Sequence, residues 1–365
     1  MKVSFRVDAS LEMGAGHVMR CLTLASSLRE KGAVCHFICR DSPGNLCDLI
    51  LSSGFELTIL SRDVDGTNEN PVESMSLHQS WLGCDWKTDA EQTLDVLETL
   101  QPDWLVVDHY ALDVEWEALV KRFVKFLMVI DDLADRHHIC DLLLDQNLGR
   151  RPIDYANMVP SCCTMMIGPK FALLRPEFSA LREKSLLLRS NASVNKILIT
   201  MGGVDHANAS GEVLRVLQRY EFPHKCAVTV ILGSQAPCLA KVRKFAKKSS
   251  FDVQVLVDVG DMARKMTDCD LVIGAAGGTS WERACLGVPS LVVILAENQQ
   301  SSARALQEYG ASRVVGSIKD IQSALPVLLD EISNHGVLAD MSRSAAGIVD
   351  GRGAERVSQM MLEGF

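Results

Sequence analysis

The sequence predicts an α/β chain built as two doubly wound domains, each a parallel sheet covered by helices on both faces. Three observations carry this expectation. Short apolar runs alternate with helical patterns along the chain. Each half opens with a strand, a glycine turn and a helix. The length of 365 residues exceeds one average domain and suits two. Residues 1–185 are therefore assigned to one Rossmann-like domain and 186–365 to another. The ligand is expected in the cleft between their strand carboxyl ends.

In the first half, Lys2 to Val7, Val34 to Cys39, Glu56 to Leu60, Trp104 to Asp108 and Phe126 to Ile130 read as strands. His17 opens a helix whose apolar positions Val18, Cys21, Leu22, Leu24, Ala25 and Leu28 repeat at helical spacing. Further helices are expected near Gly44 to Ser53, Asp89 to Leu100 and Val114 to Phe123. Val64 to Thr88 breaks the rhythm: it is polar, contains Trp81 and Trp86, and reads as a long loop near a site or a subunit contact. Leu181 to Asn195 is a charged helix running into Ser190-Asn191-Ala192-Ser193, read as the interdomain connection. Beyond it the strands are Lys196 to Met201, Ala227 to Leu232, Val253 to Val257, Leu271 to Gly274 and Ser290 to Leu295, with a helix from about Asn208.

A net charge of −9 argues against a nucleic-acid binder, which needs a basic face. The 12 cysteines are scattered without paired C-x-x-C spacing, so they read as small buried hydrophobes in a reducing, cytoplasmic protein. The opening residues form a strand and lack the apolar stretch of a signal peptide, and no run is long enough to span a bilayer. No membrane partner is expected, and the oligomeric state is left open.

The run from Arg6 to Leu22 carries most of the chemistry. Gly14 and Gly16 let a ligand approach the main chain, and His17 puts a titratable imidazole at a helix start that favours anions. Asp8 and Ser10 lie close enough in sequence to orient that ring, and His17 is the candidate catalytic residue. The bland alternative is a tight turn with a capping histidine. Gly202-Gly203, followed by Asp205 and Asn208, repeats the idea, with Asn208 as the helix cap in its structural reading. Gly277-Gly278-Thr279-Ser280-Trp281-Glu282 is the stronger second-half pattern. Small residues and free amides suit a diphosphate, and Glu282 suits ribose hydroxyls or else caps its own helix. Asn298 and Gln299 end the next strand and suit a sugar's hydroxyl or acetamido groups. Asp131-Asp132, His137-His138, Asp141 and Asp145 match no ligand spacing and read as a solvated or interdomain loop, so no metal is expected.

These residues together resemble one family. Arg6-x-Asp8-x-Ser10-x-x-x-Gly14-x-Gly16-His17-x-x-Arg20-Cys21 is similar to its amino-terminal signature. Asp108-His109-Tyr110, Asp131-Asp132, Asp154-Tyr155, Val159-Pro160, Phe171 to Arg175, Met201-Gly202-Gly203-x-Asp205 and Gly277 to Glu282 with Asn298-Gln299 resemble further family positions. The family is the UDP-2,4-diacetamido-2,4,6-trideoxy-β-L-altropyranose hydrolases of pseudaminic acid biosynthesis, and the resemblance runs to about residue 310. It implies a two-domain GT-B fold and a metal-independent, cofactor-free hydrolysis of a UDP-sugar. UDP would be held in the second domain, with His17 as base. Gly14, Gly16, Gly202, Gly203, Gly277, Gly278, Thr279, Ser280 and Glu282 would bind substrate, and Tyr110, Asn298 and Gln299 would orient the sugar. The second-half motif is shared more loosely with GT-B glycosyltransferases, including the one that makes lipid II. A transferase and a non-catalytic nucleotide-sugar binder thus stand as alternatives. The Val64 to Thr88 stretch departs from the shorter family members and bears on the sugar pocket.

Overall fold

The computed structural model describes residues 1–62, 78–189, 193–334 and 336–364. The chain divides into two compact units, Met1–Leu173 with the segment from Gly353 onward, and Leu174–Arg352.

The first unit is a parallel sheet alternating with helices: β1 (Lys2–Val7), α1 (Gly16–Glu30), β2 (Val34–Arg40), α2 (Cys47–Ser52), β3 (Glu56–Leu60), α3 (Trp86–Leu100), β4 (Trp104–Asp108), α4 (Val114–Val120), β5 (Phe126–Ile130), β6 (Leu142–Asp145) and β7 (Thr164–Ile167). The strand order is β3-β2-β1-β4-β5-β6-β7 and every pairing is parallel. The order reverses between β1 and β4, which places a crevice at their carboxyl ends. Two apolar clusters flank the sheet, one built on Phe5, Leu24, Leu28 and Phe37 and the other on Leu105, Trp116 and Leu127. All six apolar positions expected on one face of α1 are buried.

The second unit contains α5 (Pro176–Leu188), β8 (Lys196–Thr200), α6 (Ala209–Leu217), β9 (Ala227–Leu232), α7 (Leu239–Ala246), β10 (Asp252–Val257), α8 (Met262–Thr267), β11 (Leu271–Ala275), α9 (Thr279–Cys285), β12 (Ser290–Ile294), α10 (Gln300–Glu308), β13 (Ser312–Ser317), α11 (Ile321–Ile332) and α12 (Val337–Ile348). Its order, β10-β9-β8-β11-β12-β13, is again parallel throughout and reverses between β8 and β11.

The last helix, α13 (Gly353–Glu363), belongs to the first unit, where Ala354, Val357 and Met361 join the α1 side of the core. Gly353 has no room for a side chain, since a Cβ there would lie 2.2 Å from the Ala172 carbonyl oxygen. The sequence reading placed the boundary at 185/186. The compact units divide at 173/174 because α5 packs on α8 and α9, with Arg182 donating to the carbonyls of Cys285, Val349 and Ala346. The expected connection at 190–193 lies outside the described residues up to Asn191-Ala192, and so does most of the Val64 to Thr88 stretch, of which residues 78–88 are described.

Those residues are ordered as elements. Gln79–Leu82 form a 3-10 turn and α3 starts at Trp86, capped by the Asp85 carboxylate, which accepts from the Lys87 and Thr88 amides at 3.0 and 3.1 Å. All twelve cysteines are free thiols. Among the described residues no helix is long and apolar enough to cross a membrane.

Candidate active site

His17 stands in the first turn of α1, at the carboxyl edge of β1, and the neighbouring strand β4 ends in Asp108. The His17 Nδ1 lies 2.6 Å from Asp108 Oδ1. A carboxylate accepts only, so Nδ1 carries the proton and Nε2 is left as the basic nitrogen. Arg20, one turn along α1, donates to the same carboxylate from Nε and Nη2, each at 2.6 Å, and from Nη1 to Asp132 at 2.5 Å. Tyr110 donates its hydroxyl to that Asp132 oxygen at 2.8 Å and meets the His17 ring edge-on at 4.6 Å between centroids. Burial works against a charge on Asp108, but Arg20 and His17 outweigh it and hold the carboxyl well below its ordinary range. With a neutral imidazole the group of His17, Arg20, Asp108 and Asp132 carries one more negative charge than positive. A proton arriving on His17 restores the balance.

The expectation that Asp8 and Ser10 orient the imidazole is corrected. Ser10 organises the glycine loop instead: its Oγ accepts from the Met13 amide at 3.0 Å and its carbonyl from Gly14 at 2.8 Å. Asp8 is buried and accepts from Arg6 at 2.7 Å and the Arg40 amide at 2.6 Å, with His109 Nε2 at 3.4 Å from its other oxygen. Arg6 also grips Asp89 of α3, which takes Arg40 at 2.6 Å and the Trp116 indole at 3.0 Å. The signature arginine Arg6 thus fixes the strand ends rather than facing a ligand. Gly14 takes φ +79°, which favours glycine; Gly16 has an ordinary φ with nothing within 4 Å of an added Cβ.

Of the residues read as a solvated or interdomain loop, His137 is exposed, whereas Asp131, His138 and Asp145 are not solvated. Asp131 is buried and paired with Arg136 at 2.9 Å, His138 with Glu117 at 2.6 Å, and Asp145 with Arg150 at 2.8 Å and the Tyr155 hydroxyl at 2.9 Å. Each side chain is committed to a partner of opposite character. Among the described residues no group of three or more His, Cys, Asp or Glu side chains is arranged to hold a metal ion.

In the second unit the loops after β8 and β11 lie side by side. A Cβ on Gly274 would come 2.7 Å from the Thr200 carbonyl oxygen, so glycine there allows the two strand ends to approach. Gly202 needs its φ of +89°, while Gly203 accepts the Gly233 amide at 2.8 Å. The cap of α6 is Asp205, whose carboxylate accepts from Ala209 and Ser210 at 2.8 and 3.0 Å; Asn208, the expected cap, makes no side-chain cap bond. Gly203, Gly277 and Gly278 have ordinary φ, and an added Cβ on any of them would meet at most Gln299 Nε2, at 4.0 Å from Gly277. Neither backbone angle nor packing within the chain requires glycine at these three positions.

Gln299 therefore does sit beside the glycine pair, its Oε1 tied to the Leu295 amide at 3.0 Å, and Asn298 is exposed next to it. Glu282 does not cap α9. It pairs with Arg175 at 3.3 Å, and burial pushes its carboxyl above the ordinary value against the pull of that guanidinium. Thr279 and Ser280 accept from Arg283 at 3.1 and 2.9 Å, and Arg283 also donates to the Ala275 carbonyl at 2.9 Å. Arg283 is a residue that sequence reasoning missed. It is 2% exposed with no ion-pair partner among the described residues, and burial lowers its guanidinium only to about 10. A buried positive charge thus ties the end of β11 at Ala275 to Thr279 and Ser280 at the start of α9. The structure gathers Gly14, Gly16, His17 and Tyr110 in the first unit. Gly202, Gly203, Gly277, Gly278, Thr279, Ser280, Glu282, Asn298 and Gln299 lie in the second.

No protein-family model matches the chain. It is 27% identical over 312 residues, 85% of its length and 97% of the relative's, to a UDP-2,4-diacetamido-2,4,6-trideoxy-β-L-altropyranose hydrolase of Campylobacter jejuni. A spore coat polysaccharide biosynthesis protein, SpsG of Bacillus subtilis, is 26% identical over 54% of the chain and 57% of that protein. Among solved structures, MurG of Acinetobacter baumannii superposes with a TM-score of 0.69 at 16% identity, covering 100% of this chain and 99% of that one. The spinosyn rhamnosyltransferase SpnG follows at 0.60 and 16%, with both chains covered completely. The chain is thus similar in sequence, over most of its length, to a UDP-2,4-diacetamido-2,4,6-trideoxy-β-L-altropyranose hydrolase, and it has the GT-B fold of MurG and SpnG.

Proposed function

We propose that the chain hydrolyses a UDP-sugar, UDP-2,4-diacetamido-2,4,6-trideoxy-β-L-altropyranose, to UDP and the free 2,4-diacetamido sugar of pseudaminic acid biosynthesis. The observation that carries the reading is the His17–Asp108–Arg20 group at the β1/β4 switch point, flanked by the Gly14–Gly16 loop. The similarity to the Campylobacter jejuni hydrolase over nearly its whole length supports it.

In this reading His17 Nε2 takes a proton from water as the water oxygen bonds to the anomeric carbon. The bond from that carbon to the diphosphate oxygen breaks, and UDP departs with the electron pair. Asp108 holds the ring and balances the imidazolium, as an orienting carboxylate does in a catalytic triad. In the second unit the bare turn at Gly277 and Gly278, followed by Thr279 and Ser280, to which Arg283 donates, takes the diphosphate. Glu282 accepts from the ribose, and Asn298 and Gln299 meet the sugar. A diphosphate is a good leaving group, so one base suffices where glycosidases employ two carboxyl groups.

The test is UDP release in ¹⁸O-labelled water with a chelator and without an acceptor, the sugar being followed by NMR. Label on the anomeric oxygen supports hydrolysis at carbon. Release that waits for an added acceptor assigns a transferase, with His17 activating an acceptor hydroxyl.

A further inference from the structure

The sequence reading gave Tyr110 the task of orienting the sugar, yet the structure occupies that side chain on every side that matters. Its hydroxyl is given to Asp132 at 2.8 Å, its edge contact to His17 at 4.6 Å, and it is only 7% exposed. What lies over it is Trp81, stacked at 5.9 Å with an interplanar angle of 30°. His78 completes the group, 4.4 Å from Trp81 and 5.3 Å from Tyr110.

Trp81 is presented by a short, firmly anchored turn. The next residue, Leu82, is fully buried in the core beside Trp116 and Leu105. Gly83 then takes φ +73°, and the Asp85 carboxylate caps α3 two residues later. With Leu82 directed inward, the Trp81 indole lies the other way, half-buried, above the tyrosine that abuts the candidate base. Polar groups next to an apolar aromatic surface are the usual composition of a small-ligand site. An indole presents a large apolar face at little conformational cost.

We infer that Trp81, supported by His78 and Tyr110, is the wall against which the sugar's apolar face is held, and that it selects for a deoxy, N-acetylated pyranose. The inference rests on the UDP-sugar reading above and deepens it. The methyl at C6 and the acetamido methyls are the parts of such a sugar that gain from an indole face, whereas a 6-hydroxyl would lose water there without a partner. Tyr110 then acts as a positioning residue: it carries Trp81 on its ring and fixes Asp132, and through Arg20 it bears on Asp108.

The experiment compares binding of UDP with binding of the intact UDP-diacetamido sugar by calorimetry, in a His17→Gln protein that stalls turnover, alone and with Trp81→Ala or Trp81→Phe. The expected result is that Trp81→Ala weakens the UDP-sugar by about tenfold with UDP unchanged, and that Trp81→Phe restores most of the loss. UDP-N-acetylglucosamine, which keeps its 6-hydroxyl, should lose much less. Equal affinity of the Trp81→Ala protein for the UDP-sugar, with an unchanged melting temperature, overturns the inference. So does a parallel loss for UDP, or a parent protein that binds the UDP-sugar no better than UDP. Turnover by the unmodified protein is assayed separately. A failure of the wall with hydrolysis intact, or of hydrolysis with the wall intact, is thereby told apart.

Discussion

Arg20 grips the Asp108 carboxylate from two nitrogens, each at 2.6 Å, and the oxygen it shares with His17 is the one that sets the imidazole. The base and its orienting carboxylate are thus held by a rigid fork that lysine cannot reproduce. Arg20→Lys should fold and bind UDP as before while lowering kcat by about 10-fold or more, because the carboxylate regains freedom to turn. Equal kcat in steady-state UDP release would remove Arg20 from the mechanism.

His17→Ala should lower turnover by about 10²-fold or more with little change in UDP affinity, since the imidazole acts in the transition state rather than in nucleotide binding. Asp108→Asn should cost on the order of 10³-fold in kcat, because an amide no longer fixes Nδ1 as the protonated nitrogen. Single-turnover rates with calorimetric UDP affinities separate the two effects.

Asp108 and Asp8 also make the first unit acid-sensitive. Burial raises both carboxyls, yet Arg20 and His17 in one case and Arg6 and His109 in the other bring them well below the ordinary 3.8. A carboxyl whose folded pKa is depressed contributes stability that is present above the unfolded value and lost as pH falls through the folded one. The urea midpoint should therefore hold steady from neutrality to about pH 4 and fall below it. Asp89→Asn, which leaves Arg6 and Arg40 facing a neutral amide, should destabilise by about 3 kcal/mol at neutral pH.

Glu282 shifts the opposite way, burial pushing it above the ordinary 4.5 with Arg175 opposing. Its neutral form persists to higher pH, so a ribose that needs the carboxylate should bind more tightly as pH rises through the shifted value. Uridine is the probe, because it lacks a titrating phosphate. Its affinity should climb with pH in the unmodified protein and be low and flat in Glu282→Gln.

The glycines give a contrast between ligand and packing. Gly277→Ala meets only Gln299 Nε2, at 4.0 Å, and should leave the melting temperature almost unchanged while weakening UDP by about tenfold. Gly274→Ala collides with the Thr200 carbonyl and should destabilise by about 2 kcal/mol or more. Differential scanning calorimetry and UDP titration on both variants check the pair.

Much of this was legible in the sequence where one periodicity dominated. The continuous apolar runs of β1, β4, β5, β8 and β11 marked the sheet, and their polar or glycine ends supplied the residues proposed for the site. The strands β6, β7 and β13 were missed: the first two are four residues long, and β6 lies among aspartates that seemed solvated. Asp89 was missed for a related reason, since burial of a carboxylate is unexpected unless its arginine is known to be near. One signal was available, because Asp89, Thr93 and Leu97 recur every four residues and share the buried face of α3. Arg283 carried no such mark. Its neighbours Ala275, Thr279 and Ser280 come together only when the turn between β11 and α9 closes.

The return of α13 to the first unit has a consequence for how the protein is made. The Ser27 hydroxyl meets Ser358 at 2.8 Å, and Val357 and Met361 pack with the α1 side of the core. During vectorial synthesis every strand of the second sheet leaves the ribosome before the helix that completes the first unit. The half translated later can therefore mature earlier, while the amino-terminal half waits for α13. A chain ending at Arg352 should keep a protease-resistant second unit and expose the α1 face of the first.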